Sequence, residues 1–356
     1  MVARYKKHVL DFCRPSGTSR GILKQKETWF ISLSDGEKKG IGECGLLRGL
    51  SCDDRPDYEE KLAWTCANIH LGKEVLYASL MEFPSIQMGL ETAFLSMYSD
   101  DPFVLYPNAF SRSEASILIN GLIWMGDLDF MLAQVEEKLQ QGFSCIKMKV
   151  GAIDFAQELS VLSAIRSRYT KEEMVLRVDA NGAFKADAIE KLHQLAALDI
   201  HSIEQPIAAG NWQEMNRLCK ETPLPIALDE ELIGVFARED KIALLESVQP
   251  QYIILKPSFI GGFTGASEWT ALAKERGIDS WVTSALESNV GLNAIAQWTY
   301  QNKYKGHQGL GTGSLFTNNI SSPLTIENGY ITSNNKKVWS TICLLYTSDA
   351  ADDSLR

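Results

Sequence analysis

The chain has 356 residues and a mass of 39.6 kDa, with 45% hydrophobic and 22% charged residues, a composition that supports a sizeable core and excludes disorder as the main state. Thirty-five basic against 45 acidic residues give a formal charge of −10 and a pI near 5.2, which repels phosphate backbones and anionic membranes and argues against either as partner. The seven cysteines are odd in number and form no Cys-x-x-Cys pair, so reduced thiols are expected rather than a disulfide framework or a zinc site.

The start, Met1-Val-Ala-Arg-Tyr-Lys-Lys-His8, is charged but precedes no apolar run, so it does not read as a secretory signal. No later stretch approaches the ~20 apolar residues of a membrane span, and a cytoplasmic protein is expected. Strand-like runs at 4–12, 22–34 and 38–46, broken at Pro15-Ser16-Gly17 and Asp35-Gly36, suggest an antiparallel meander. Helical patterns follow near 57–71 and 85–99, the second opened by Pro84-Ser85, which makes residues 1–110 an α+β lobe.

From about residue 115 a short apolar run followed by an amphipathic stretch repeats. Eight runs read as strands: 115–123, 145–150, 174–178, 201–204, 225–228, 252–255, 280–285 and 308–313. Seven helical segments begin near Asp127, Asp154, Lys185, Asn211, Arg238, Gly262 and Ser288. Alternation of this kind predicts a parallel sheet closed as an α/β barrel over 111–313. The segment Leu324-Thr-Ile-Glu-Asn-Gly-Tyr-Ile331 has a strand-and-turn pattern suited to a return toward the first lobe, giving a return segment at 314–339. The tail at 340–356 continues neither pattern and reads as non-native or disordered. Asn319-Ile320-Ser321 fits a glycosylation acceptor only by coincidence in a cytoplasmic chain.

Barrel enzymes draw their chemistry from the carboxyl ends of the strands. Here those ends read Lys147-Met148-Lys149, Asp179-Ala-Asn-Gly, Glu204-Gln-Pro, Asp229-Glu-Glu and Lys256-Pro. The acids are 25 residues apart from 179 to 204 and 25 from 204 to 229, with Lys256 another 27 on, each about one strand–helix unit. Asp179, Glu204 and Asp229 therefore project from neighbouring strands ~4.8 Å apart, and three converging carboxylates need a cation between them. All-oxygen ligands select a hard dication, Mg²⁺ first, with Mn²⁺ a possible substitute. Lys147 and Lys149, two apart on one strand, share the inward face, and Lys256 comes from across the ring. A neighbouring ammonium and partial desolvation lower a lysine pKa, so this set suits removal of a proton beside a carboxylate, with the metal stabilising the enediolate. A single Lys-x-Lys is usually a solvated strand and a lone Asp-Ala-Asn-Gly usually a turn; six ionisable groups ending successive apolar strands are harder to read as surface.

These residues resemble the enolase superfamily, in the subgroup with a lysine on each side of the metal. The resemblance covers nearly the whole chain and implies a modified TIM barrel of (β/α)7β type with an N-terminal α+β capping domain completed by the C-terminal segment. It implies Asp179, Glu204 and Asp229 as metal ligands, and Lys149, Lys256 and Lys147 as catalytic residues. Ser116 to Gly126, Ile260-Gly-Gly-Phe263, Thr283 to Gly291 and Gly309-Leu-Gly-Thr-Gly313 are most similar to the menaquinone-pathway dehydratases of Bacteroides-like bacteria. The implied reaction turns 2-succinyl-6-hydroxy-2,4-cyclohexadiene-1-carboxylate, a small carboxylate, into o-succinylbenzoate. In it Lys149 moves the proton and Lys256 stands as a cation over the ring. Gly261 and Gly262 would let backbone N–H groups approach the succinyl part, unless they form only the turn before a helix; Ser284 and Glu287 would line the pocket. Pro15 to Arg20 and Leu46 to Asp53 would be cover loops.

A racemase of N-succinyl amino acids or a dipeptide epimerase would use Lys149 and Lys256 as bases on opposite faces, and spacing does not separate it from the dehydratase. The Asp-x-Asp motif that dipeptide epimerases carry after the eighth strand is missing from Gly309–Gly313, a run that also lies where barrels bind phosphate. A muconate-type cycloisomerase fits the pocket segments less well. Ile260 to Gly265 lacks the Gly-x-Gly-x-x-Gly of a nicotinamide dehydrogenase, and a non-catalytic binder would have no need of all six groups.

Overall fold

The computed structural model describes residues 1–18, 21–124, 126–151 and 153–340, with the backbone alone for 16–18. Strands β1 (Val2–Thr18), β2 (Gly21–Ser34) and β3 (Lys39–Cys44) form the antiparallel meander of the first lobe, followed by helices α1 (Tyr58–Ala67), α2 (Lys73–Ser79) and α3 (Pro84–Tyr98). The break expected at Pro15-Ser16-Gly17 is a register shift between Asp11 and Ser16, after which pairing with β2 resumes. A bulge accommodates a proline that a regular ladder would reject. Helix α3 is buried along nearly its whole length, because the β3 side of the lobe lies on one face and the barrel on the other. Gly42 permits that approach: a methyl group there would collide with the Gly89 carbonyl of α3.

The barrel follows as β4 (Ser116–Leu118), β5 (Gly121–Ile123), α4 (Leu128–Gln140), β6 (Cys145–Lys149), α5 (Phe155–Arg166), β7 (Val175–Asp179), α6 (Ala188–Ala196), β8 (Ser202–Glu204), α7 (Trp212–Glu221), β9 (Ile226–Leu228), α8 (Arg238–Val248), β10 (Tyr252–Leu255), α9 (Gly262–Glu275), β11 (Asp279–Val282) and α10 (Asn289–Gln301). β5 to β11 make one parallel seven-stranded sheet in chain order. The helices start where cap residues dictate: Asp127, Asp154, Asn211 and Ser288 each accept a hydrogen bond from the first turn of α4, α5, α7 and α10. The main core lies between these helices and the sheet, and a second core fills the first lobe.

Two expected strands differ in form. The run at 115–123 divides at Ile119-Asn120, and its first half, β4, pairs with a terminal hairpin of β12 (Leu324–Glu327) and β13 (Tyr330–Ser333). The eighth strand consists of single bridges, Gln308 to Ile119 and Gly309 to Thr283, which nonetheless join the two sheet edges and close the ring. Glycines at 309, 311 and 313 give that run little side-chain surface with which to sustain a ladder. The return segment meets the first lobe near residues 314–318, where Cys13 N–H donates to the Leu315 carbonyl and Thr317 N–H to that of Asp11, both at 2.8 Å, and again at Ile320 and at Trp339, which stacks on Phe103 at 4.1 Å. The tail, Ser340 apart, lies outside the described residues, as do Ser19 and Arg20 of the expected cover loop. No described helix is long and apolar enough to cross a membrane.

Two carboxylates of the first lobe cap barrel helices. Glu91 of α3 accepts from Phe263 N–H at 2.6 Å, Thr264 N–H at 3.2 Å and the Thr264 hydroxyl at 2.6 Å. Glu43 of β3 accepts from Ser288 N–H and Gly291 N–H, both at 2.8 Å, and from the Ser288 hydroxyl at 2.5 Å. Each places negative charge where unpaired N–H groups converge at the start of α9 or α10.

Candidate active site

The strand register aligns the reactive groups. Lys149 lies opposite Asp179 across β6 and β7, and Asp179 opposite Glu204 across β7 and β8, so three groups form one row. Asp229 falls two residues beyond Ala227, the partner of Glu204. Gln205 ties this turn down: its side-chain oxygen accepts from Asp229 N–H at 3.2 Å and Glu231 N–H at 3.3 Å, and its amide donates to Glu231 at 2.9 Å.

Lys147 donates to both Asp179, at 2.9 Å, and Glu204. Lys149 reaches Asp179 at 3.1 Å and the Asn181 side-chain oxygen at 2.6 Å. Lys256 holds Asp229. Asp179, Glu204 and Asp229 are buried, at 1%, 0% and 3% exposure, so the charges act on one another through little water. Burial pushes Asp179 up, but Lys147, then Lys149 and Lys256, outweigh it and hold the carboxyl well below the usual range. Glu204 goes the other way, to about 7: burial dominates, and Asp179 and Asp229 add repulsion that Lys147 does not cancel. Burial lowers Lys147 and Lys256, yet Asp179 and Glu204 raise the first above its ordinary value and Asp229 raises the second.

The expected convergence of three carboxylates on one point is not the arrangement found. Among the described residues no three His, Cys, Asp or Glu side chains surround a common centre. Instead Lys147 sits between Asp179 and Glu204, and Asp229 turns to Lys256, because each buried carboxylate takes the nearest positive charge. The residues nonetheless suit a dication. The second oxygen of Glu204 is buried with no hydrogen-bond partner, its carboxyl is pushed up by burial first and then by Asp179 and Asp229, and all three acids are hard oxygen donors. Sharing an ion requires Glu204 and Asp229 to turn from their lysines.

Above this row lies a cavity of about 790 Å³ lined by Lys147, Lys149, Asp179, Asn181, Lys256 and Ser284, among others. Leu47 and Leu50 from the segment after β3, and Pro15 from the end of β1, supply part of its wall, so the first lobe covers the strand ends. Glu204 and Asp229 lie behind the lysines and do not line it.

Two expectations about the cavity wall are corrected. Gly261 and Gly262 do not line the cavity. They face the first lobe, where the Tyr77 hydroxyl donates to the Gly261 carbonyl at 2.5 Å, and the N–H groups that follow them are taken by Glu91. Both have positive φ, +92° and +66°, so the turn reading of these glycines is the one the backbone supports. Glu287 is wholly buried beneath the wall, accepting from Ser258 at 2.6 Å, Ser284 at 2.7 Å and Ala285 N–H at 2.7 Å. Ser284 does face the cavity and shares a hydrogen bond with Thr312 at 2.8 Å. Asn181 and Glu230 were not singled out from sequence; their signal was only position, two residues after Asp179 and one after Asp229.

Residues 131–337 match the family model described as "Enolase C-terminal domain-like". The chain is 42% identical to an o-succinylbenzoate synthase from Desulfotalea psychrophila, over 93% of this chain and 98% of that one. The crystal structure of MenC from the same organism superposes with a TM-score of 0.83 at 39% identity, covering 93% of this chain and 99% of that one. A dipeptide epimerase from Enterococcus faecalis, solved with Mg and a dipeptide, shares the fold at 17% identity and a TM-score of 0.81, over 93% of this chain and 96% of that one. With a barrel model spanning all six strand-end groups and a full-length relative at this identity, the chain belongs to the enolase superfamily.

Proposed function

We propose that the protein is a carbon–oxygen lyase, an o-succinylbenzoate synthase that dehydrates 2-succinyl-6-hydroxy-2,4-cyclohexadiene-1-carboxylate in menaquinone biosynthesis. The observation that carries this reading is the full-length likeness to the Desulfotalea psychrophila synthase, over a chain in which Lys147, Lys149, Asp179 and Lys256 line one cavity with Glu204 and Asp229 behind them. Asp179, Glu204 and Asp229 would hold Mg²⁺, or Mn²⁺ in its place, which when bound supplies positive charge to the substrate carboxylate as the adjacent carbon loses its proton.

Lys149 is the proton carrier. As a neutral amine it takes the proton from the ring carbon bearing the carboxylate, and as an ammonium it returns that proton to the departing hydroxyl, which leaves as water from the same face. Lys147, bonded to two carboxylates, is held as an ammonium and keeps positive charge under the developing anion. Lys256 lines the cavity with Lys149, which suits it to stand as a cation over the ring. Ser284 and Thr312 offer hydroxyls for the succinyl end. The reaction belongs in the cytoplasm, in keeping with the free state of all six described cysteines.

The second reading, racemisation of N-succinyl amino acids or epimerisation of dipeptides, is favoured by one observation: Lys149 and Lys256 both line the same cavity. Ultraviolet absorbance of the cyclohexadiene substrate, followed with enzyme and Mg²⁺ beside parallel assays on N-succinyl amino acids and dipeptides, decides between them. Turnover of the diene is expected; racemisation without it would replace the dehydratase reading.

A further inference from the structure

We infer that Asn181 is a positioning residue for the amine of Lys149, and that Glu230 fixes Asn181 in that role; the inference rests on Lys149 being the proton carrier of the reaction proposed above. Three hydrogen-bonding groups from three strand ends form a chain. The Lys149 amine donates to the Asn181 side-chain oxygen at 2.6 Å, and the Asn181 amide nitrogen donates to a Glu230 carboxylate oxygen at 3.0 Å. The Asn181 amide thus turns its oxygen to Lys149 and its nitrogen to Glu230, and the contact with Glu230 holds it in that orientation.

The backbone reinforces this. Asn181 has φ of +43°, in the left-handed region that asparagine tolerates better than most residues, and its N–H donates to Asp179 at 3.0 Å. The turn therefore folds back over the end of β7 and carries the side chain toward the end of β6. With one N–H directed to Asn181 and another to Asp179, the remaining valence of the Lys149 nitrogen is oriented, and both Lys149 and Asn181 line the cavity.

The test uses the full chain with Mg²⁺ and the variants Asn181→Gly, which accepts positive φ and removes the side chain, Glu230→Gln and Glu230→Ala. Read-outs are kcat and KM for dehydration, the primary isotope effect with substrate deuterated at the abstracted position, and Mg²⁺ affinity by calorimetry. Asn181→Gly is expected to lower kcat about 10²-fold, the scale of a misplaced reacting group, with KM within about twofold and a larger isotope effect. Glu230→Gln, which keeps an acceptor for the amide, should stay within about threefold of the parent, whereas Glu230→Ala should fall about tenfold or more. A raised KM at constant kcat would make Asn181 a substrate contact instead, and an activity loss that tracks lost Mg²⁺ affinity would make it a support for the metal site; either overturns the inference. If the parent protein does not dehydrate the diene, the function reading has failed, and the same variants are then compared by α-proton exchange of N-succinyl amino acids in D₂O. Unimpaired exchange in Asn181→Gly would overturn the positioning role there as well.

Discussion

Lys149 is the group on which the chemistry turns, and its surroundings say what its loss should do. It lines the cavity wall and makes polar contacts to Asp179 and Asn181, so Lys149→Ala should lower kcat by about 10³-fold or more while leaving the fold and Mg²⁺ binding in place. Residual turnover near the parent level would remove it as the proton carrier. Glu204 invites a second measurement at this scale, because it is a fully buried carboxylate with one oxygen unpartnered and its pKa pushed up to about 7. Glu204→Gln removes a charge that costs stability without metal and assists binding with it. Thermal unfolding in the absence of metal should be unchanged or raised, and Mg²⁺ affinity should fall by at least about tenfold. An unchanged metal titration would take Glu204 out of the ligand set.

At the scale of elements, the strand ends matter because the helices and turns that follow them are held from outside the barrel. Helix α9 starts just after the turn that carries Lys256, and its first N–H groups are capped by Glu91 of α3 rather than by a residue of its own loop. Glu91→Ala leaves the buried Phe263 N–H, and the N–H and hydroxyl of the more exposed Thr264, without their acceptor and should cost about 1–3 kcal/mol, read as a lower unfolding midpoint. If the midpoint does not move, water or a neighbouring group replaces the carboxylate and the cap is not a strut. The same arrangement explains Gly261 and Gly262, whose positive φ lets the chain turn sharply under α3. A glycine pair before a helix signals a turn in the sequence; that the turn faces another lobe, and not the substrate, depends on a helix more than 160 residues earlier.

For the molecule as a whole, the opposite end of the barrel sets a pH limit. Arg177 stacks on Trp281 at 4.0 Å, and His201 packs against both Tyr252 and Trp281. His201 and His307 are both lowered to about 4, by burial first and then by Arg177. A histidine whose folded pKa lies below its unfolded value of about 6.5 favours folding above that value. That contribution is lost as pH falls from about 6.5 toward 4, because the unfolded chain takes up protons the folded chain refuses. Between pH 6.5 and 4.5 the unfolding midpoint of the parent should therefore fall relative to that of His201→Gln; an equal slope in both would clear His201 of the effect.

How much of this was legible beforehand differs by kind of feature. Periodicity exposed the strand–helix repeat, the cap residues Asp127, Asp154, Asn211 and Ser288 marked helix starts, and the 25-residue spacing put Asp179, Glu204 and Asp229 at strand ends. These are local properties, set by the hydrogen bonds and side-chain faces of a few consecutive residues, so the sequence by itself determined them. Tertiary structure alone decided that Lys147 stands between two carboxylates, that Glu287 lies beneath the wall, that β4 leaves the barrel strand for the terminal hairpin, and that Asn181 meets Glu230. Those outcomes depend on which distant charges and surfaces meet, and burial fixes that only when the whole chain has closed around them.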